Sequence, residues 1–180
     1  MNMKRSIALV VLTLAFGAAL LLTQTAGSHG QYQLGGGWIG NNGAGNTWTA
    51  LQIPIDPNGK AAALRVNLTA YGASFAGLLN AFGANSVSEL VGQSEMIGRD
   101  TAKYRTVGCA NQQGNPPQRR AILVNTGIVQ FTGPDNYTVH WELDVYPAAT
   151  DADLDGFPDA GSVPAVSISG QDHATRVPLP

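Results

Sequence analysis

The segment Asp151-Ala152-Asp153-Leu154-Asp155-Gly156-Phe157-Pro158-Asp159 carries the clearest chemistry in the chain. Its pattern is D-x-D-x-D-G-x-x-D, with carboxylates at alternate positions and a glycine where the backbone must turn sharply. Calcium is a hard cation that takes roughly six to eight oxygen ligands, and alternate carboxylates in a loop converge on one ion when the chain wraps around it. In that wrapping Asp151, Asp153 and Asp155 donate side-chain oxygens, Phe157 donates its carbonyl, and Asp159 binds directly or through water. The expectation is a structural calcium site within residues 151–162. The competing reading is a solvated acidic turn.

The segment resembles the calcium repeats of thrombospondin type 3 and the first part of an EF-hand loop. An EF-hand carries a bidentate Glu at its last loop position, where this chain has Ser162, and no helical periodicity flanks the loop. The resemblance therefore implies a structural site of modest affinity and not a sensor.

Other candidates are weaker. His140, Glu142 and Asp144 alternate along one strand face, a row that could ligate a transition metal or exchange protons, although an ordinary polar face is the plainer reading. Cys109 is the only cysteine, so no intrachain disulfide forms, and its apolar neighbours suggest a buried structural thiol. Gly35, Gly37 and Gly40 match G-x-G-x-x-G, but Asn41-Asn42-Gly43 follows where a helix would have to start. That stretch reads as a strand start and a wide turn. No nucleophile elbow is present. The absence of a catalytic motif favours a non-enzymatic binding or structural module; a small hydrolase using carboxylates or the His140 row is an alternative.

The elements that must carry these residues are mostly strands. In Thr47 to Ile55, Leu51, Ile53 and Ile55 share a face. Lys60 to Tyr71 places Leu64, Val66, Leu68 and Ala70 on one side, and Asp56 to Gly59 reads as the hairpin connection between the two runs. Ser74 to Phe82 changes period: Phe75, Leu78, Leu79 and Phe82 form one stripe of a short helix, with Gly83 placed to end it. Strand signals resume near 95–98, 103–110, 120–131, 137–146, 164–169 and 174–178. In Tyr137 to Tyr146, Tyr137, Val139, Trp141, Leu143 and Val145 make an unbroken apolar face, which belongs to an antiparallel sheet with one face on the core and predicts a buried Trp141. The fold class is mainly β: an antiparallel sandwich or barrel of about eight strands with one short helix.

Gly36-Gly37-Trp38 resembles the G-x-W of the first strand in lipocalin-type barrels, where the Trp plugs one end. The resemblance implies an Arg partner for that Trp, here Arg176 on the last strand, and adds a third function, a carrier of a small apolar ligand.

Lys4 and Arg5 precede an apolar run from Ile7 to Leu22, and Thr23 to Ser28 is small and polar, the order of a signal peptide. The expected organisation is a cleaved leader at 1–28 and a single β-rich domain at 29–180, secreted or periplasmic. Among 180 residues the chain has 10 basic and 12 acidic ones, and the leader removes two of the basic ones. The acidic balance and the lack of basic runs argue against nucleic acid and against anionic membranes as partners. A small ligand or a cell-surface partner is left open.

Overall fold

The computed structural model describes residues 32–55 and 62–178. The leader and the turn at Asp56 to Gly59 lie outside the described residues. The strands are β1 (Gly36–Asn41), β2 (Thr47–Pro54), β3 (Ala62–Ala70), β4 (Ser86–Val87), β5 (Leu90–Met96), β6 (Thr101–Gln112), β7 (Gln118–Gly133), β8 (Asn136–Pro147) and β9 (Val166–Arg176). One helix, α1 (Ala73–Ala81), follows β3.

Every pairing is antiparallel, and β1, β2, β3, β5, β6, β7, β8 and β9 each lie beside the next in chain order. β1 also pairs with β9, so the sheet closes on itself into an up-and-down barrel, with β4 appended to β6. Of the two architectures open to the sequence, the barrel is the one formed. Closure leaves no free sheet edge where β1 and β9 meet, but that seam is short. Trp38 to Asn41 pair with Arg176 to His173, whereas β8 pairs with β9 from Val166 onward. The first half of β9 therefore has a strand partner on one side only.

Alternation decides which side chains fill the barrel. Tyr137, Val139, Leu143 and Val145 of β8 are buried inside, and His140 and Glu142 are exposed outside. Leu64 of β3 is likewise buried inside. β2 reverses the simple expectation. Trp48, Ala50 and Gln52 point inward, and Leu51, Ile53 and Ile55 are exposed on the outer wall. The large Trp48 ring belongs to the opposite parity from those three aliphatics, and the parity of the ring sets the strand. Residues 164–169 and 174–178 are parts of one strand, because Gly170, Gln171 and Asp172 continue the β8 ladder. Trp141 is half-buried and not fully enclosed, since it reaches both the lumen and a shallow groove on the outer wall. Cys109 is half-buried with outward parity on β6, opposite Ile122, a correction to the buried thiol.

The two ends close differently. At one, Trp38 is fully buried, its indole N–H donates to the Leu34 carbonyl at 3.1 Å, and Phe131 and Tyr137 pack on it edge-on or tilted. The Arg176 guanidinium lies 4.3 Å from the Trp38 ring centroid. It donates to the carbonyls of Gln33, Gly35 and Pro134 and pairs with Asp135, joining the N-terminal segment, the β7–β8 turn and β9. At the other end, α1 buries Phe75 and Leu79 against Ala110, Leu123, Leu143 and Val145, and Val166 and Ile168 of β9 pack on the same cluster. That cluster is thus shared between the helix and the half of β9 that lacks a second strand partner. Gly83 ends it as expected: at φ +69° it sits in the left-handed region, donating to the Asn80 carbonyl while Ala84 donates to that of Leu79.

Candidate functional site

Two places gather polar chemistry, the barrel lumen and the acidic loop. The lumen encloses a cavity of about 100 Å³. Trp48, Val66, Leu68, Tyr104, Tyr137 and Trp141 line it, with Phe75 of α1 on the helix side and Asn42 and Asn46 of the β1–β2 turn at its rim. The aromatic rings fit because glycines face them across the ladders. Trp48 lies opposite Gly40, Tyr104 opposite Gly127 and Trp141 opposite Gly170. A Cβ on Gly170 would meet Trp141 at 2.5 Å, one on Gly127 would meet Tyr104 at 2.6 Å, and one on Gly40 would enter the Trp48 ring. Each ring lies flat against backbone that a larger residue would fill.

One carboxylate lines this cavity. Asp172 is 6% exposed, with one oxygen accepting the Trp48 indole N–H at 2.5 Å and the other accepting the Trp141 indole N–H at 2.8 Å. Across the lumen the Tyr104 hydroxyl donates to Asn125 Oδ1 at 3.0 Å. Burial pushes the Tyr104 phenol well above the ordinary tyrosine range, and the Asp172 charge pushes the same way. Burial does likewise to Tyr137, with further upward contributions from Tyr104 and Asp172. Both phenols stay neutral donors at any moderate pH. Sequence reasoning missed Asp172, although Ile168, Gly170, Asp172 and Ala174 share a parity that places the acid among inward residues.

The acidic loop leaves the barrel after β8 through a 3-10 turn (Ala148–Thr150) that packs on β7. Oxygens of Asp151, Asp153 and Asp159 lie within 4.8 Å of one another, an arrangement that can hold a metal ion. Asp155 is not part of that group: its Oδ1 accepts the Phe157 N–H at 2.8 Å, an Asx turn. Asp151 is 2% exposed and organises the loop. Its Oδ1 accepts the Asp155 N–H and its Oδ2 the Gly156 N–H, each at 3.0 Å, and Arg119 pairs with Oδ2 at 2.5 Å. Burial alone would raise its carboxyl, but the Arg119 and Gly156 hydrogen bonds and the Arg119 charge outweigh it and hold Asp151 below the usual range. Asp159 caps the other end, accepting the Ala152 N–H at 3.2 Å. Leu154 at φ +62° and Gly156 at φ +92° supply the tight wrapping.

The His140, Glu142 and Asp144 row stays on the outer wall, where His140 and Glu142 line a shallow groove and Asp144 accepts a hydrogen bond from Ser167. Among the described residues no helix is long and apolar enough to cross a membrane. Comparison with protein-family models, with curated proteins and with solved structures finds no match for this chain.

Proposed function

We propose that this chain is a non-enzymatic binding protein whose barrel lumen holds a small, largely apolar ligand. The observation that carries the reading is the lumen cavity itself, walled by aromatic and aliphatic side chains with a few fixed polar groups, the usual make-up of a small-molecule site. Carrier function agrees with the lipocalin-like G-x-W at Trp38 and its contact with Arg176. The hydrolase alternative needs two carboxylates in one pocket, and among the described residues Asp172 is the one acid lining this cavity. The leader pattern of Lys4, Arg5 and Ile7 to Leu22 supports action outside the cytoplasm. There the acidic loop would serve as a structural calcium site built on Asp151, Asp153 and Asp159.

The test is ligand-detected NMR on the mature domain with tert-butanol, cyclopentanol and hexanol. Saturation should transfer to the smaller alcohols, and Val66→Phe, which puts a ring into the cavity, should abolish it. No transfer to any of them, or equal transfer in the filled variant, would remove the lumen as the site.

A further inference from the structure

The lumen holds a carboxylate that no cation of the described barrel pairs with. Asp172 projects inward from β9 and belongs to none of the ion pairs among the described residues. The next cation along the inward face of β9 is Arg176, which is engaged at the end of the barrel with Asp135, the Trp38 ring and three backbone carbonyls. Two indole N–H groups hold the Asp172 oxygens, one on each, yet a carboxylate offers roughly four lone-pair positions. Acceptor capacity therefore remains on a group that lines the cavity.

The walls around it have the matching electrostatics. Phe75, Trp48, Tyr104, Tyr137 and Trp141 all contribute rings to the lining. An aromatic face carries negative potential and attracts a cation, most strongly when both are out of water. An anionic ligand would meet repulsion from Asp172 and from the ring faces alike. A neutral apolar ligand would fill the space and leave the charge without a partner, an arrangement that low-dielectric surroundings penalise heavily. A ligand with an ammonium head and a short alkyl body satisfies every wall: its N–H groups donate to the free lone pairs of Asp172 and its carbons lie on the rings.

We propose that the lumen binds a small organic ammonium ion, with Asp172 as counter-ion and the Trp48, Trp141 and Tyr104 rings as its cage. This rests on the reading of the lumen as the binding site and names the chemical class of its occupant. Size follows from volume. A dry cavity of ~150 Å³ admits benzene, so one of about 100 Å³ takes roughly four or five non-hydrogen atoms.

Tert-butylamine and tert-butanol test this directly. They have the same shape, and at neutral pH the amine is protonated because simple alkyl ammonium groups titrate near pH ~10. Calorimetry and Trp emission should show the ammonium binding at least about tenfold more tightly than the alcohol. Asp172→Asn, which keeps an oxygen for one indole but removes the charge, should erase that preference, so that the variant no longer distinguishes the two ligands. Equal binding of the two ligands to the native domain would overturn the ammonium assignment and leave the carrier reading standing. Binding of neither would overturn both. If Asp172→Asn does not fold, the comparison of the two ligands on the native domain still decides the matter.

Discussion

Asp151 and Asp172 are both carboxylates removed from water, and their surroundings treat the charge in opposite ways. Around Asp151 the chain supplies a guanidinium from Arg119 and two backbone N–H groups, so the anion is fully met from within. Around Asp172 it supplies two neutral indole donors and, among the described residues, no ion-pair partner. The consequence for calcium is specific. Arg119 already neutralises one of the four loop carboxylates, so an ion would chiefly relieve repulsion involving Asp153 and Asp159, both exposed and without a basic partner among the ion pairs described. At a hundredfold excess over Kd, binding to the folded state alone stabilises by about 2.7 kcal/mol, a rise of about 5–10 °C in Tm for a domain this long. Thermal melts in millimolar calcium, magnesium and chelator should show that rise for calcium alone, because magnesium demands a tighter octahedral shell. Asp153→Ala/Asp159→Ala should abolish it. Asp155→Ala should spare most of it, since Asp155 holds Phe157 and lies outside the convergent group. A calcium response equal in the native domain and the double variant would make the loop a solvated turn.

At the scale of elements, the strands and helix were legible wherever periodicity was unbroken. The β8 alternation placed Tyr137, Val139, Leu143 and Val145 inside, and the stripe of Phe75, Leu78, Leu79 and Phe82 placed α1 to within a residue at each end. The sequence pattern breaks β9 into two fragments because Gly170, Gln171 and Asp172 interrupt the apolar face. At that interruption a glycine seats the Trp141 ring and an acid accepts its indole N–H. The outward Leu51, Ile53 and Ile55 misled for a related reason: apolar residues sit on both faces of β2, and a ring decides which face turns inward. The same contrast predicts two opposite glycine substitutions. Gly77 lies exposed in α1 with nothing within 4 Å of a new Cβ. Gly77→Ala should stabilise by about 0.5–1 kcal/mol through helix propensity. Gly170→Ala should destabilise by about 1–3 kcal/mol, because the methyl overpacks against Trp141 and displaces its bond to Asp172. Urea denaturation followed by Trp emission measures both; a stabilising Gly170→Ala would mean the ring is not seated as described.

The described strands form one closed sheet wound around a lumen, and whether strands form a barrel or a sandwich depends on the β1–β9 pairing. That contact joins residues more than a hundred positions apart, so no local pattern announces it. Its physical consequence is that phenols from β6 and β8 share one water-poor interior, which ties stability to pH at the alkaline end. Tyr104 and Tyr137 both have folded pKa values raised above the unfolded value near ~10, principally by burial and further by Asp172. For such groups the neutral form is favoured in the folded state. Their contribution is fully present below about pH 10 and is lost as pH rises through the window above it, where the unfolded chain releases protons that the folded barrel retains. The slope should approach ~1.4 kcal/mol per pH unit for each buried phenol. Tyr104→Phe should therefore make the decline of unfolding free energy above about pH 10 shallower by roughly one proton, whatever it does to stability at neutral pH. Urea titrations at a series of alkaline pH values give that slope directly, and phenolate absorbance at each pH reports ionisation independently. An unchanged slope in Tyr104→Phe, with phenolate appearing before the barrel unfolds, would show that Tyr104 is not held in a water-poor lumen.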